Sequence, residues 1–223
     1  DPGYHMLRNI MDANEIQYEC IPLDEFGMSI DALQNSSANI CALTPAHQFP
    51  TGIIMNMKRR SEILNCSQID FVIEDDYDSE LRYEGRPITA LQGLDRSDRV
   101  IYLGALSKVL PFFVRISYLV LPDPLMDMYR RERSLFRQSA SVPEQCVLAE
   151  YIRSGEMRKQ IRRLRRLYQE KGRKTEYLLQ AYFGTAVEVS RVVSGVHCQI
   201  AFASPLSETE LTEAAKREGC LVL

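Results

Sequence analysis

The sequence predicts an α/β fold, because short apolar runs alternate along the chain with stretches of helical periodicity. Two of these runs, Ile69 to Glu74 and Val100 to Gly104, have the length and the flanking turn residues of buried strands in a parallel sheet. The first is followed at once by Asp75 and the second, after a short connection, by Lys108. Ligands of such sheets bind beyond the carboxyl ends of the strands, so we expect these two side chains at one site.

The elements of the amino-terminal part follow from periodicity and turn residues. The turn at Asp1 leads into a predicted helix with Leu7, Ile10 and Met11 on one face. The next predicted elements, in chain order, are a strand from Ile16 to Ile21, a helix from Ser29 to Gln34, a strand from Asn39 to Leu43 and a helix from Met57 to Leu64.

The carboxyl-terminal part is predicted to be rich in helix. A further strand from Val114 to Leu121 precedes two helical segments, Leu125 to Gln138 and Val142 to Phe183, and Pro143 suits the start of the second. From Ala186 onward the pattern changes again and predicts the beginning of a small α+β domain. Its elements are a strand from Val187 to Arg191, a strand from Val196 to Phe202, a helix from Ser207 to Glu218 and a last strand from Cys220 to Leu223.

Residues 157–177 are strongly basic and invite a nucleic-acid interpretation. Four apolar side chains nevertheless recur there at helical spacing, namely Ile161, Leu164, Leu167 and Tyr168. They leave the arginines largely on the other faces of the helix. A solvated or interdomain helix is therefore favoured over a nucleic-acid surface.

Composition bounds the function. With 223 residues, 45% of them hydrophobic, the chain can bury a sizeable core, and a net charge of −3 from 27 basic and 30 acidic residues gives no overall attraction to nucleic acid. The six cysteines are scattered, with no C-x-x-C pair and no histidine at metal spacing, so they predict buried thiols in a reducing compartment and no metal site. No apolar run reaches membrane-spanning length, and we expect a cytoplasmic protein with no membrane partner.

Six segments together resemble the aminotransferase-like (class I/II) domain of MocR/GabR-type transcriptional regulators of the GntR family. They are TPAHQFPTG from Thr44, the pair Arg59 and Arg60, IEDDYDSELRY from Ile73, ALQGLD from Ala90, VIYLGALSK from Val100 and RISYLVLP from Arg115. The resemblance implies the three-layer αβα sandwich of the fold type I, pyridoxal phosphate-dependent transferases. It divides the chain into a partial large domain (1–155), a long interdomain helix (156–185) and the start of a small α+β carboxyl-terminal domain (186–223).

The resemblance also implies a pyridoxal 5′-phosphate site. Carried over to this chain, it makes Lys108 the Schiff-base lysine, Asp75 the partner of the pyridine nitrogen and Tyr77 a donor to the ring hydroxyl, while Ser107 and Arg115 hold the phosphate. Each role has a physical reason: a buried carboxylate keeps the ring nitrogen protonated, and a guanidinium offers phosphate a planar fork of donors. Asp76 and Asp78 are expected to be solvated or to cap a turn.

Departures from the family pattern weaken the phosphate end of this expected site. Ala105 stands where the family usually has a hydroxyl-bearing residue, and Phe113 lies where it favours glycine, whose backbone freedom and close approach a phenylalanine cannot offer. Phe49 stands where general aminotransferases have an asparagine that contacts the ring hydroxyl. Gln48 or His47 could take over that contact, although a histidine in a loop is more often a hydrogen-bonded spacer. Tyr4 either faces the cleft, as the family's DPGY turn does, or packs at the start of the first helix.

Two functions from different classes follow. In the first, the chain is the effector-binding and dimerisation part of a regulator, in which an amino compound exchanges with Lys108 and DNA is bound only by a winged-helix domain outside this chain. In the second, it belongs to an aminotransferase acting on an amino acid, with Lys108 moving the proton. The HQFPTG and EDDYDSE motifs favour the regulator, whether or not turnover survives, and the full-length protein is expected to be a homodimer. A nucleotide-binding domain is disfavoured because no glycine-rich strand-to-helix turn of that type occurs.

Overall fold

The computed structural model describes residues 1–85, 88–135, 139–190 and 193–222. Its strands are β1 (Leu23–Asp24), β2 (Gly27–Met28), β3 (Ile40–Leu43), β4 (Phe71–Asp76), β5 (Val100–Ala105), β6 (Ser117–Val120), β7 (Val187–Val189) and β8 (Ile200–Phe202). Its α-helices are α1 (His5–Ala13), α2 (Ile30–Gln34), α3 (Met57–Leu64), α4 (Leu91–Leu94), α5 (Asp123–Glu132), α6 (Val142–Arg153), α7 (Glu156–Phe183) and α8 (Glu208–Arg217). Short 3₁₀ turns occupy Ser79–Leu81, Arg133–Leu135 and Gly184–Ala186.

The central sheet has the strand order β3-β4-β5-β6. The first three strands are parallel, whereas β6 pairs antiparallel with β5 in a register that sets Ala105 opposite Ser117. The sheet is therefore mixed, with an antiparallel edge strand beside the predicted parallel pair β4 and β5. All four of its residues are exposed at the edge, and it covers only the middle of the predicted range from Val114 to Leu121.

One face of the sheet carries the main core. Along β4 the residues alternate between half-buried and fully buried, with Val72 and Glu74 on the buried side. Val72 packs in a cluster with Leu33 of α2, Ile63 of α3 and Leu91 of α4. These three helices therefore cover the same face of the sheet. The opposite positions of β4, which include Asp75, are only half-buried.

A buried arginine of α3 joins the sheet to the loops around it. Arg60 is completely buried and donates hydrogen bonds to the carbonyl oxygens of Met55, Thr89 and Pro45, at 2.9, 3.0 and 2.7 Å. Its guanidinium lies 3.9 Å from the carboxylate of Glu74, which itself accepts hydrogen bonds from the first backbone amides of α4. These two buried charges therefore satisfy each other and the loop ends around them.

A second, smaller cluster joins the site-bearing turn to the long helix. Leu81, Leu106 and Val109 are buried against partly buried side chains of α6 and α7, including Ile161, Leu164 and Tyr168. The predicted apolar stripe of the basic helix is thus confirmed for those three positions. Leu167 is the exception, because 42% of its side chain is exposed.

Most of the predicted elements form, with bounds shifted by a few residues. The prediction of a strand from Ile16 to Ile21 is wrong, since the segment pairs with no strand among the residues that the structure describes. Cys220 to Val222 likewise form no strand, while Leu223 lies outside the described residues. The same holds for Arg191 at the end of one predicted strand and for residues 136–138 at the end of one predicted helix.

The cysteine prediction holds only in part. All six cysteines have free thiols, but Cys20, Cys146 and Cys220 are exposed rather than buried, and only Cys41 and Cys66 lie in the core. In Cys41, burial raises the pKa of the thiol to about 12, so this side chain behaves as an apolar one. None of the described helices combines the length and the apolar character that crossing a bilayer requires.

Candidate functional site

The expected site residues come together at one edge of the central sheet. Because β4 and β5 are parallel and β6 runs the other way, the carboxyl ends of β4 and β5 lie beside the start of β6. Asp75 lies near the end of β4 and Tyr77 directly after it, Ser107 and Lys108 follow the end of β5, and Arg115 precedes β6. The sequence predicts that Asp75 and Lys108 lie at the same edge. The register of the strands places Tyr77, Ser107 and Arg115 at that edge as well.

A tight turn holds Lys108 at this edge. The amide of Leu106 donates a hydrogen bond to the carbonyl of Ile116 at 3.2 Å, and the amides of Val109 and Leu110 both donate back to the carbonyl of Leu106. Leu106 and Val109 point into the second core cluster, so the intervening Ser107 and Lys108 are turned outward. Lys108 is exposed and forms no salt bridge with any residue that the structure describes.

The Asp75 carboxylate has no cationic partner among the residues that the structure describes. It is half-buried, and its pKa lies above the ordinary value because of burial and, secondarily, the nearby carboxylates of Asp76 and Asp78. Within the described part of the chain no group donates a hydrogen bond to it. A protonated ring nitrogen would supply both the missing charge and the missing donor, so this position fits the pyridine end of pyridoxal phosphate.

Tyr77 remains a protonated phenol over the ordinary pH range. Burial raises the pKa of its hydroxyl well above the usual value, and the negative charges of Asp78, Asp75 and Asp76 raise it further. Its oxygen lies 3.3 Å from Nδ1 of His47, whose ring is stacked near the Tyr77 ring at 6.1 Å between centroids. Tyr77 can therefore act as a hydrogen-bond donor beside Asp75.

The expectation for the two other acidic residues of the motif needs correction. Asp76 is buried and accepts hydrogen bonds from the Ser79 amide at 3.1 Å and the Tyr102 hydroxyl at 2.7 Å, so it holds a turn but is not solvated. Asp78 is 1% exposed and lies 2.7 Å from Nδ1 of His47, which is 5% exposed. Asp78 is therefore neither solvated nor a cap but one half of a buried polar pair.

The phosphate end is the most open part of the site. Ser107 is half-buried and Arg115 is exposed, with no salt bridge to any described residue, and Ala105 offers no hydroxyl. Phe113 is 68% exposed, so it does not fill the space over the strand ends. Glu15 and Asp98 are the non-glycine residues with positive φ in the described chain, and Phe113 is not among them. The turn that contains Phe113 is closed by the Val114 amide, which donates to the Pro111 carbonyl at 2.9 Å.

The loop from His47 to Gly52 is stabilised from within. The Gln48 side chain accepts a hydrogen bond from the Thr51 amide at 3.0 Å and donates one to the Pro2 carbonyl at 2.7 Å, so it braces the loop and does not replace the missing asparagine. Tyr4 contacts Phe49 edge to face, with the ring centroids 6.0 Å apart. This contact supports the packed alternative for Tyr4, although half of its side chain remains exposed.

A functional feature that sequence reasoning missed is the grouping of His47 and Asp78 with His197. The two histidine rings stack with centroids 4.8 Å apart, and ligand atoms of the three residues all lie within 4.8 Å of one another. The pKa of His197 lies below the ordinary value, chiefly through burial, and the charges of His47 and Lys108 contribute to this lowering. His47 and Asp78 both follow strands, β3 and β4, that lie side by side, but their pairing depends on the register of these two strands, which the sequence does not give. His197 comes from a distant turn that no local pattern places there.

Known proteins resemble this chain over nearly its whole length. No protein-family model matches the chain. It is 40% identical over 221 residues to the HTH-type transcriptional regulator YdeL of Bacillus subtilis (strain 168), which covers 98% of the chain and 48% of that protein. It is 32% identical over 221 residues to the probable rhizopine catabolism regulatory protein MocR of Rhizobium meliloti, over 98% of the chain and 45% of that protein.

A solved structure matches the fold as well. The kynurenine aminotransferase of Pyrococcus horikoshii, crystallised with PMP, superimposes with a TM-score of 0.87 at 27% identity, covering all of the chain and 58% of that protein. The fold is thus that of the fold type I, pyridoxal phosphate-dependent aminotransferases. The chain spans about half the length of the curated relatives it matches.

Proposed function

Because this chain belongs to the family of aminotransferase-like domains found in MocR-type regulators, we propose that it binds pyridoxal 5′-phosphate where β4 and β5 end. The observation that carries the proposal is the convergence of Asp75, Tyr77 and Lys108 at one sheet edge. Within the described chain the Asp75 carboxylate has no hydrogen-bond donor and the Lys108 amine has no ion-pair partner. A cofactor with a ring cation and an aldehyde would satisfy both.

The chain's own side chains divide the work of binding. Pyridoxal phosphate supplies an aldehyde that captures amines and a ring that withdraws electrons. Lys108 would hold the cofactor as its Schiff-base lysine, through the aldehyde, and Asp75 would hold the ring nitrogen in its protonated form. Tyr77 donates a hydrogen bond to the ring oxygen, and Ser107 and Arg115 face the phosphate, with Ala105 giving a weaker grip than a hydroxyl would.

The regulator is the first of two candidate roles. In it, an amino compound displaces Lys108 from the cofactor and the freed side chain changes the packing between the large domain (1–155), the interdomain helix (156–185) and the small domain (186–223). DNA binding belongs to a winged-helix domain outside this chain, in a homodimeric, cytoplasmic full-length protein. The identity to regulators over nearly the whole chain supports this role.

An aminotransferase is the second candidate. It is supported by the likeness to an archaeal kynurenine aminotransferase over the full chain. In this role Lys108 also moves a proton between the substrate carbon and the cofactor, which demands the same residues. The two candidates therefore differ in turnover and not in the composition of the site.

A titration with pyridoxal 5′-phosphate followed by visible absorption tests the binding proposal. We expect a saturable band that borohydride fixes on the peptide containing Lys108. The Lys108→Ala variant should lose the band and the adduct, whereas Lys174→Ala, which removes an exposed amine on α7, should keep both. Label spread over several surface lysines, with no saturable band, would contradict the proposal.

Addition of amino acids and other amines to the loaded protein then separates the two roles. A spectral change that stops at exchange with Lys108 and reverses on dilution supports the regulator. Conversion to the amine form of the cofactor with release of a keto acid supports the aminotransferase.

A further inference from the structure

The buried pair formed by His47 and Asp78 has no part in the binding scheme above, yet it touches Tyr77. We propose that His47 and Asp78 are positioning residues that keep the Tyr77 hydroxyl pointed away from themselves and available to the ring oxygen of the cofactor. This inference rests on the proposed function, because it concerns the direction in which Tyr77 donates.

The geometry of one nitrogen atom carries the first step. Nδ1 of His47 lies 2.7 Å from Asp78 Oδ2 and 3.3 Å from the Tyr77 oxygen. As an ionised carboxylate Asp78 can only accept, and the shorter contact is then one in which a proton on Nδ1 is donated to Asp78. Nδ1 then has no lone pair with which to accept from Tyr77, whether the imidazole is neutral or charged. The Tyr77 proton must be donated elsewhere.

Burial stabilises the hydrogen bond between His47 and Asp78. Asp78 and His47 are almost completely buried, and a buried carboxylate without its donor would be left uncompensated. The other oxygen of Asp78, Oδ1, has no hydrogen-bond partner among the described residues, so the contact with His47 is what satisfies this side chain. The pair therefore resists any change that takes the Nδ1 proton away from Asp78.

A turn from a distant part of the chain seals the pair. Gly195 has φ +71, and a Cβ at this position would collide with Asp78 Oδ2 and would lie 2.7 Å from the His47 ring. The Gly195 amide donates to the Leu81 carbonyl at 3.1 Å, and the Tyr83 hydroxyl donates to the Gly195 carbonyl. His197, two residues on, stacks against His47. The turn thus excludes water and fixes the imidazole plane.

A metal ion is the competing use of the same side chains, since His47, Asp78 and His197 offer three ligand atoms within 4.8 Å. Two ligands of one tetrahedral zinc ion, each at about 2.1 Å from the metal, stand about 3.4 Å apart. The 2.7 Å between His47 Nδ1 and Asp78 Oδ2 is instead a hydrogen-bond distance. The observed geometry therefore favours a proton over a metal between the two residues.

The tautomer of His47 can be measured without any cofactor. The chain has three histidines, so ¹⁵N-histidine spectra are simple, and His47→Asn assigns the His47 signals. We expect the parent Nδ1 to carry a proton from pH 6 to 8, and Asp78→Asn to make that nitrogen a mixture of donor and acceptor. An unprotonated Nδ1 in the parent, or stoichiometric zinc in the purified protein, would overturn the inference.

The effect on Tyr77 is read from the cofactor-loaded protein, in a pH titration of the visible band after addition of pyridoxal 5′-phosphate. Tyr77→Phe removes the donated hydrogen bond and should raise the midpoint by about one to two pH units, the equivalent of one hydrogen bond to a charged group. Asp78→Asn should also raise the midpoint, because Tyr77 can then donate to His47. A mere loss of the negative charge at Asp78 would lower the midpoint, so the sign separates the two explanations.

Two further variants complete the test. His47→Asn puts an amide donor where Nδ1 was and should leave the midpoint close to that of the parent. The double variant Tyr77→Phe, Asp78→Asn should shift no further than Tyr77→Phe alone, since Asp78 acts through Tyr77. Additive shifts, or a lower midpoint in Asp78→Asn, would overturn the positioning role while leaving cofactor binding intact. Absence of any band in the parent would overturn the proposed function itself, and the histidine spectra would still report the tautomer.

Discussion

Asp75 gives the site a dependence on pH that belongs to a single residue. Its pKa is raised by burial and by the charges of Asp76 and Asp78, so the folded chain holds its proton more tightly than the unfolded chain does. The stabilising contribution of this group is therefore complete below the ordinary pKa of an aspartate, and it is lost as the pH rises through the elevated value. Above that elevated value the cofactor-free protein carries an ionised, poorly compensated Asp75.

This reasoning predicts that Asp75→Asn stabilises the protein when no cofactor is present. In urea unfolding, the free-energy advantage of the variant should grow from near zero at the lowest pH to a constant value once the pH has passed the elevated pKa of Asp75. Adding pyridoxal 5′-phosphate should reverse the order, because the parent gains the ring cation and the variant does not. A pH-independent difference between the two proteins would contradict the assigned cause of the pKa shift.

For the other side chains of the site, the sequence predicts only those features that depend on residues nearby in the chain. Lys108 and Asp75 were predicted because each follows a recognisable strand at a recognisable distance. The burial of Asp78 was missed because an aspartate beside a strand end is normally solvated, and its partner His47 lies 31 positions away. Asp78 is buried because it pairs with His47, and this pairing depends on the register of β3 and β4.

At the scale of secondary-structure elements, the junction of β5 and β6 is unusually close. Gly104 faces Tyr118 across the antiparallel ladder, and a Cβ on Gly104 would overlap the Tyr118 ring. The ring leans over the glycine toward Tyr102, with the two ring centroids 6.0 Å apart. The edge strand that Arg115 precedes therefore packs on the sheet through this glycine.

We expect Gly104→Ala to destabilise the protein by about 1–2 kcal/mol, because the Tyr118 ring must swing out and lose its packing. Urea unfolding measures the change. In a Tyr118→Ala background the same substitution should have a much smaller effect, since the overlap is gone. The difference between the costs of Gly104→Ala in the two backgrounds measures the coupling between the two sites. Equal costs in both backgrounds would mean that the glycine is required by the backbone and not by the tyrosine.

Most elements with a strong local signal were predicted correctly, and those without partners were not. The helices α2 and α3 have clear caps, with Ser29 and Asn56 accepting hydrogen bonds from the first turn, and both were located within one residue. The segment from Ile16 to Ile21 has strand composition but no neighbouring strand, and a strand without a ladder does not form.

At the scale of the whole molecule, charge is distributed without a dominant sign. The net charge is −3, and the arginines of α7 lie on its exposed faces while Ile161 and Leu164 pack inward. A nonspecific DNA-binding surface needs a concentrated positive field, which this balance opposes. The long helix is accordingly expected to serve packing and not nucleic-acid contact.

This predicts that the chain binds a short random-sequence duplex only weakly at 150 mM salt, with a Kd no tighter than about 10⁻⁴ M, the weak end of nonspecific binding. Fluorescence anisotropy over a salt series measures it. Replacing Arg162 and Arg163 by glutamate should change the anisotropy curve little. Micromolar binding that those replacements abolish would make α7 a DNA-contacting helix.

The sequence by itself determined the α/β class, the order of the main strands and helices, and the two motifs that end β4 and β5. It could do so because these features depend on periodicity, caps and turns, which are local properties of the chain. Only the tertiary structure decided that β6 runs antiparallel, that Asp78 is buried against His47 and that the turn at Gly195 closes over them. Those facts depend on strand register and on contacts between residues more than a hundred positions apart, and no local pattern encodes them.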